Sequence, residues 1–107
     1  MGVGDQEMTV VVARFRAVQG RESDVAAILS RYVVMSRGHE GALNMDLLES
    51  EAEPNEFLVI QKWADEEFRD KHWSHDDAVV MAESVKDKLV EPPQILPFAP
   101  VSAYDLM

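Results

Sequence analysis

The chain has 107 residues, 47% of them hydrophobic, and its 20 acidic and 10 basic residues give a net charge of −10. We expect one domain, because two cores would each be too small to fold, and a core of this size gains from burying further surface in an oligomer. The absence of cysteine excludes disulfides, thiolate metal sites and a cysteine nucleophile. The strong acidity argues against nucleic acid or an anionic membrane surface as a partner.

Residues 1–7 contain two acids and no base, which is unlike a signal peptide, and no stretch reaches the ~18 apolar residues of a membrane span. We therefore expect a cytoplasmic protein without a membrane partner. Residues 1–7 are predicted to be a flexible leader, residues 8–98 the domain, and residues 99–107 a tail. Residues 40–107 hold 16 acids and five bases, which we interpret as a solvated surface that keeps the protein soluble.

Hydrophobic periodicity predicts a strand, a helix and two further strands in the first half of the chain. Residues 9–17 alternate with period two, which places Val11, Ala13 and Phe15 on one face. Residues 22–37 carry apolar side chains at helical spacing. Two more alternating runs, 42–50 and 57–63, are joined by a short polar turn, and this indicates an antiparallel hairpin.

Two helices and a last strand are predicted in the second half. Asp65 is a suitable N-cap for a short helix. Ser74 and Asp77 form a capping-box pattern at the start of a third helix, whose apolar spacing continues to Leu89. Two prolines end that helix, and the short strand that follows contains Pro97, which favours a position at the sheet edge.

The order βαββαβ is that of the ferredoxin-like arrangement, an α+β fold with a four-stranded antiparallel sheet and helices on one face. The predicted strands are apolar on both faces. In the third strand, for example, Phe57 and Val59 lie on one side, and Leu58 and Ile60 on the other. Since the helices cover one face only, we expect a homodimer in which two sheets face each other.

The candidates for chemistry are few, because the sequence contains no nucleotide-binding, serine-hydrolase or zinc-protease motif. Trp63 closes the third strand, and Gln61 lies on the same face. Two interpretations are open: Trp63 packs in the core, or it joins Gln61 and His72 in an apolar pocket on the open face of the sheet.

The remaining histidines give little evidence of a site. His72 and His75 are three residues apart beside two aspartates, which is a weak metal-binding pattern. We expect no metal there, because a helix-capping role already accounts for Asp77. His39 lies between two glycines and is expected to be a solvated loop residue.

Several segments together resemble antibiotic biosynthesis monooxygenase (ABM) domains. Each segment is unspecific alone, but their order and spacing are typical of the family: residues 13–22, 41–48, 57–63, 68–72 and 89–93. The resemblance extends over residues 8–98. It implies a dimeric α+β barrel made of two ferredoxin-like subunits, in agreement with the dimer expected from the uncovered sheet face.

The resemblance also implies an activity. Characterised ABM proteins include oxygenases of phenols, anthrones and hydroquinones that need no cofactor, because the deprotonated ring itself donates electrons to dioxygen. It implies catalytic roles for His72, as base or hydrogen-bond partner, and for Trp63, as a surface that stacks on the substrate. The candidate substrate contacts are Gln61, Asn44, Phe15 and Met45.

Two positions depart from the family pattern. Gln61 stands where relatives commonly have an acid, and Asp77 where many have a second histidine, so the catalytic residues of relatives cannot simply be carried over. The alternatives are therefore a non-catalytic dimeric barrel that binds an aromatic metabolite, or a lyase, an isomerase or a haem-degrading relative on the same scaffold.

Overall fold

The structure is a computed structural model, and it describes residues 8–103. The elements follow in the order β1 (Thr9–Arg16), α1 (Glu22–Ser36), β2 (Ala42–Glu49), β3 (Glu56–Trp63), α2 (Glu66–His72), α3 (Asp76–Val85) and β4 (Gln94–Phe98). The predicted leader at residues 1–7 lies outside the described residues, as do the last four residues of the predicted tail. No helix within the described range is long and apolar enough to cross a membrane.

The four strands form one antiparallel sheet in the order β2-β3-β1-β4. With its three helices, this is the predicted α+β ferredoxin-like fold. β4 is an edge strand, as Pro97 predicted, and it continues through Pro97 to Phe98. Proline is tolerated there because the outer side of an edge strand needs no backbone donor.

The two faces of the sheet differ in burial. On β1, Val11, Ala13 and Phe15 are buried, whereas Arg14 and Arg16 are exposed. The buried set packs with α1 and α3 in a single core. The other face carries apolar side chains that are exposed in the single chain, among them Leu48, Leu96 and Phe98.

Two predictions about the third helix are wrong. α3 ends at Val85, because Leu89 leaves the helix to form a bridge with Ala17 beside the sheet. The N-cap of α3 is His75, whose Nδ1 accepts the backbone N–H of Asp77 at 3.1 Å. Ser74 instead donates its hydroxyl to the backbone carbonyl of Lys71 at 3.0 Å, so no capping box forms.

Candidate active site

Six polar side chains form a continuous row of hydrogen bonds from the core to the surface. They come from β3, α1, α2, α3 and the loop after α1, and all belong to the helix-covered side of the sheet. In order from the buried end, this polar row comprises Trp63, Gln61, Tyr32, His72, His39 and Asp77.

The buried half of the polar row has a fixed hydrogen-bond direction. The indole N–H of Trp63 can only donate, so Oε1 of Gln61 must accept it, at 2.9 Å. This leaves Nε2 of Gln61 to donate to the hydroxyl oxygen of Tyr32, also at 2.9 Å. The Tyr32 hydroxyl is therefore free to donate its own hydrogen to Nε2 of His72.

The outer half continues in the same direction. Because Nε2 of His72 accepts, the neutral ring carries its proton on Nδ1, which lies 3.0 Å from Nδ1 of His39. His39 accepts there and carries its proton on Nε2, 2.8 Å from Oδ2 of Asp77. Every donor in the row thus meets an acceptor when both imidazoles are neutral and Asp77 is ionised.

The pKa values agree with this assignment of protons. Burial, followed by the nearby His39 and His75, lowers the pKa of His72 to about 4, so the ring is neutral near pH 7. Burial also raises the pKa of Tyr32 well above its usual range, and the hydrogen bond from Gln61 opposes this only in part. At the outer end, the bond from His39 lowers the pKa of Asp77 below its ordinary value.

Local structure holds His72 in position at the end of α2. Asp65 is the N-cap of this helix, as predicted, and its carboxylate accepts the backbone N–H of Phe68 at 3.0 Å. Phe68 packs directly on Gly41, where a Cβ would overlap its ring. Gly41 also has a φ of +82°, so glycine is required there for two reasons. This close approach sets α2 against the start of β2.

An apolar cavity of about 480 Å³ lies between α3 and the β1–β4 side of the sheet. Its lining is almost wholly apolar and includes Phe15, Trp73, Met81 and Ile95. The Trp73 ring also meets the His72 ring edge-on, with 5.0 Å between centroids. The cavity therefore ends one aromatic ring away from the polar row.

Four of the predicted site residues come together. Trp63, Gln61 and Met45 have no exposed surface, and His72 is 3% exposed. Met45 pairs with Gln61 across β2 and β3, and the Trp63 and His72 rings lie 4.7 Å apart. Of the two interpretations of Trp63, packing in the core is confirmed. The alternative, a pocket on the open side of the sheet, is wrong because β3 directs Trp63 and Gln61 toward the helices.

The other two predicted contacts lie elsewhere. Phe15 lines the apolar cavity. Asn44 pairs with Lys62, one position from the buried Met45, and so belongs to the open face of the sheet, away from His72. The structure thus divides the predicted substrate contacts among the core, the cavity and the opposite face.

Sequence reasoning missed three residues of this region. The prediction of a solvated His39 is wrong, since its side chain is only 9% exposed and both ring nitrogens are hydrogen-bonded. Tyr32 lies within the predicted helix over residues 22–37 and belongs to no motif. A buried tyrosine needs a hydroxyl partner, and that was the available signal. Trp73 follows the short helix predicted after Asp65, and nothing near it in the sequence indicates a cavity wall.

Comparison with known proteins supplies the family. Residues 8–83 match the family described as "Antibiotic biosynthesis monooxygenase". This span is most of the chain and contains the whole polar row. The chain belongs to the antibiotic biosynthesis monooxygenase family. Among functionally curated proteins, none matches it significantly.

Solved structures of similar fold come from several bacteria. A Nitrosomonas europaea protein has a TM-score of 0.85 and 14% identity, covering 90% of this chain and 92% of its own. Rv0793 from Mycobacterium tuberculosis has a TM-score of 0.84 and 22% identity, covering 90% and 97%. SO0527 from Shewanella oneidensis has a TM-score of 0.80 and 25% identity, covering 87% and 90%. These similarities agree with the ABM fold.

Proposed function

We propose that this ABM protein is a cofactor-independent monooxygenase that converts a phenol, anthrone or hydroquinone to a quinone with dioxygen. Membership of the family supports a monooxygenase. The observation that carries the proposal is the polar row, which gives a directed proton path from beside an apolar cavity to the surface.

The reaction balances without an external reductant. In an anthrone, the ring CH₂ carbon becomes a carbonyl, whose oxygen comes from dioxygen. The second oxygen atom leaves as water with the two hydrogens of the CH₂ group, and all four electrons come from the substrate. The protein therefore needs to bind the ring, remove its first proton and exclude water.

The apolar cavity is the proposed site for the substrate ring. Its volume of about 480 Å³ lies within the range of small-molecule pockets, and its lining suits a polycyclic aromatic compound. Trp73 and Phe15 supply aromatic surfaces there, so in this proposal Trp73 takes the stacking role that the resemblance implied for Trp63. A shift of the Trp73 ring would bring the substrate to His72.

His72 is the proposed base, acting through a relay. Nε2 of His72 becomes available to the substrate when the Tyr32 hydroxyl turns its hydrogen away from this nitrogen. As Nε2 then takes the substrate proton, Nδ1 passes its own proton to His39, and Nε2 of His39 passes its proton to Asp77. The relay matters because an imidazolium is costly in this buried position. The charge change instead appears on Asp77, whose side chain is 28% exposed.

Trp63 and Gln61 are proposed as positioning residues. Both are fully buried, and their hydrogen bonds orient the hydroxyl of Tyr32 toward His72. Gln61 can do this without ionising, which explains how an amide serves where relatives commonly have an acid. Met45 packs beside this pair and is proposed to shape the wall behind it.

We also propose that the protein works as a homodimer joined through the open face of the sheet. Leu48, Leu96 and Phe98 are about half-exposed on that face in the single chain, and burying them would stabilise the pair. Asn44 lies on the same face and would be enclosed with them. Light scattering should give twice the 12.0 kDa chain mass at micromolar concentration, whereas the mass of one chain would disprove the dimer.

Oxygen uptake by chelator-treated protein tests the activity. With a panel of anthrones and hydroquinones, we expect uptake faster than the spontaneous reaction and formation of one quinone per dioxygen. His72→Gln should abolish the enhancement, while Glu67→Gln on the exposed side of α2 should keep it. If no panel member reacts faster than spontaneously but the compounds quench tryptophan fluorescence, the protein is a binding barrel for aromatic metabolites.

A further inference from the structure

We propose that His39, His75 and Asp77 form a binding site for a divalent transition-metal ion of the Zn²⁺ type. The three residues come from the loop after α1 and from the start of α3. One ring nitrogen from each histidine and one carboxylate oxygen all lie within 4.8 Å of one another. This site is at the outer end of the polar row and is different from the apolar cavity.

The separations between the donor atoms are close to those around a small bound ion. Oδ2 of Asp77 lies 2.8 Å from Nε2 of His39 and 3.6 Å from Nδ1 of His75. Zinc bonds of about 2.1 Å in tetrahedral geometry hold neighbouring ligand atoms about 3.4 Å apart. Two of the three donor separations are therefore close to the spacing that the ion requires, and all three are within 4.8 Å. On binding, Nδ1 of His75 would exchange the backbone N–H of Asp77 for the ion.

The donor types favour zinc and similar ions over magnesium or calcium. Two imidazole nitrogens and one carboxylate oxygen form a set that borderline transition ions accept, whereas magnesium and calcium prefer oxygen alone. The side chains of Asp77 and His75 are 28% and 49% exposed, so the ion can enter from solvent and keep a water as its fourth ligand.

Two features around the site affect metal binding: a hydrogen bond that holds the His39 ring, and the charges of neighbouring side chains. Metal-binding histidines usually hydrogen-bond through their other nitrogen, and Nδ1 of His39 lies 3.0 Å from Nδ1 of His72. Arg31 and Asp76 line the same small cleft as Asp77. The Arg31 charge lowers metal affinity and the Asp76 charge raises it, so the two effects oppose each other.

Metal binding would reverse the hydrogen bond between the two buried imidazoles. An ion on Nε2 of His39 requires a neutral ring with its proton on Nδ1, and His39 then donates to His72. In the metal-free row the donor is His72. The ion also occupies the carboxylate of Asp77, so it closes the proton path. This consequence rests on the proposed function, but the binding of the ion does not.

Calorimetric titration with Zn²⁺ and absorption spectroscopy with Co²⁺ test the site directly. We expect one ion per chain and a tetrahedral Co²⁺ spectrum. His75→Ser should weaken binding at least tenfold, because serine still caps α3 but offers no imidazole. Asp77→Asn should weaken it similarly, whereas the matched variant Asp76→Asn should change the affinity less than threefold.

Oxygen uptake separates the site from the activity. One equivalent of Zn²⁺ should inhibit the wild type, while His75→Ser, whose side chain is outside the polar row, should keep its chelator-treated rate and resist inhibition. Absence of saturable binding, or equal affinity in the wild type, His75→Ser and Asp77→Asn, would overturn the metal site. If uptake is never catalysed, calorimetry and the Co²⁺ spectrum still decide the question.

Discussion

The inner and outer halves of the polar row are held in different ways. In the inner half, Trp63 and Gln61 are fully buried on one strand and bond to a helix of the same core. In the outer half, His39 lies in a loop and Asp77 is partly exposed at the start of α3. Packing thus fixes the geometry of the inner half, while solvent can accept protons from the outer half. Substitutions in the two halves should therefore have different effects.

The largest expected effect is on stability, from Gln61→Met in the inner half. Methionine fills a similar volume but leaves the Trp63 N–H without an acceptor and removes one of the two partners of the Tyr32 hydroxyl, which keeps its bond to His72. A buried donor left unsatisfied costs about 1–3 kcal/mol and a lost hydrogen bond about 1 kcal/mol, so the free energy of unfolding should fall by up to about 4 kcal/mol. Urea denaturation measures this, with Gln94→Met on the exposed strand β4 as control. An equal fall in the free energy of unfolding in both variants would show that the hydrogen bonds of Gln61 with Trp63 and Tyr32 do not stabilise the fold.

The next effect is a pH dependence of stability from His72. Burial lowers its folded pKa to about 4 from an ordinary value of 6.5, with His39 and His75 reinforcing the shift and Asp77 opposing it. Between these values the unfolded chain binds a proton that the folded chain does not. The stabilisation is therefore complete above pH 6.5 and is lost as the pH falls toward 4, by about 3 kcal/mol.

Unfolding in urea at pH 7.5 and pH 4.5 measures this loss. The variant His72→Gln has no imidazole at this position and should lose much less stability over the same interval. Asp77 does not account for the difference, because its pKa is lowered from 3.8 and its own contribution is lost only at more acidic pH. An identical pH dependence in the variant would show that His72 is not the group responsible.

In the outer half, Asp77→Asn should affect activity more than stability. The asparagine oxygen still accepts the His39 N–H, so the free energy of unfolding should change by about 1 kcal/mol or less. The amide cannot take up a proton, so quinone formation should slow about tenfold, equivalent to about 1.4 kcal/mol in the barrier. Oxygen uptake in the presence of chelator measures the rate. An unchanged rate in a stably folded variant would remove Asp77 from the relay, and Asp76→Asn is the matched control.

The fold was predictable because its signals are local. Alternation over residues 9–17 places Val11 and Ala13 on one face, since neighbouring side chains of a strand point to opposite faces, and in the structure that face is the buried one. Alternation cannot say which face the helices cover, and this is why the sequence left open whether Trp63 and Gln61 lie in the core or on the open face. That choice depends on how the crossover helices pack over the sheet.

The polar row was not predictable, because its bonds join distant parts of the chain. Tyr32 and Gln61 are 29 positions apart, and Tyr32 and His72 are 40 apart. His39 acquires its partners only when α2 and α3 close over the loop, so nothing near it in the sequence distinguishes it from a solvated residue. Resemblance to a family identified His72 but not the residues that connect it to solvent.

The smallest expected effect concerns the start of α3, where His75 belongs to the surface beyond the polar row. His75 caps the helix, whereas the Ser74 hydroxyl donates to the carbonyl of Lys71. Loss of an N-cap costs about 1 kcal/mol, so His75→Ala should lower the free energy of unfolding by that amount and His75→Ser should restore most of it. Ser74→Ala should change stability by less than about 0.5 kcal/mol. The opposite order in thermal unfolding would show that the capping box predicted from Ser74 and Asp77 forms after all.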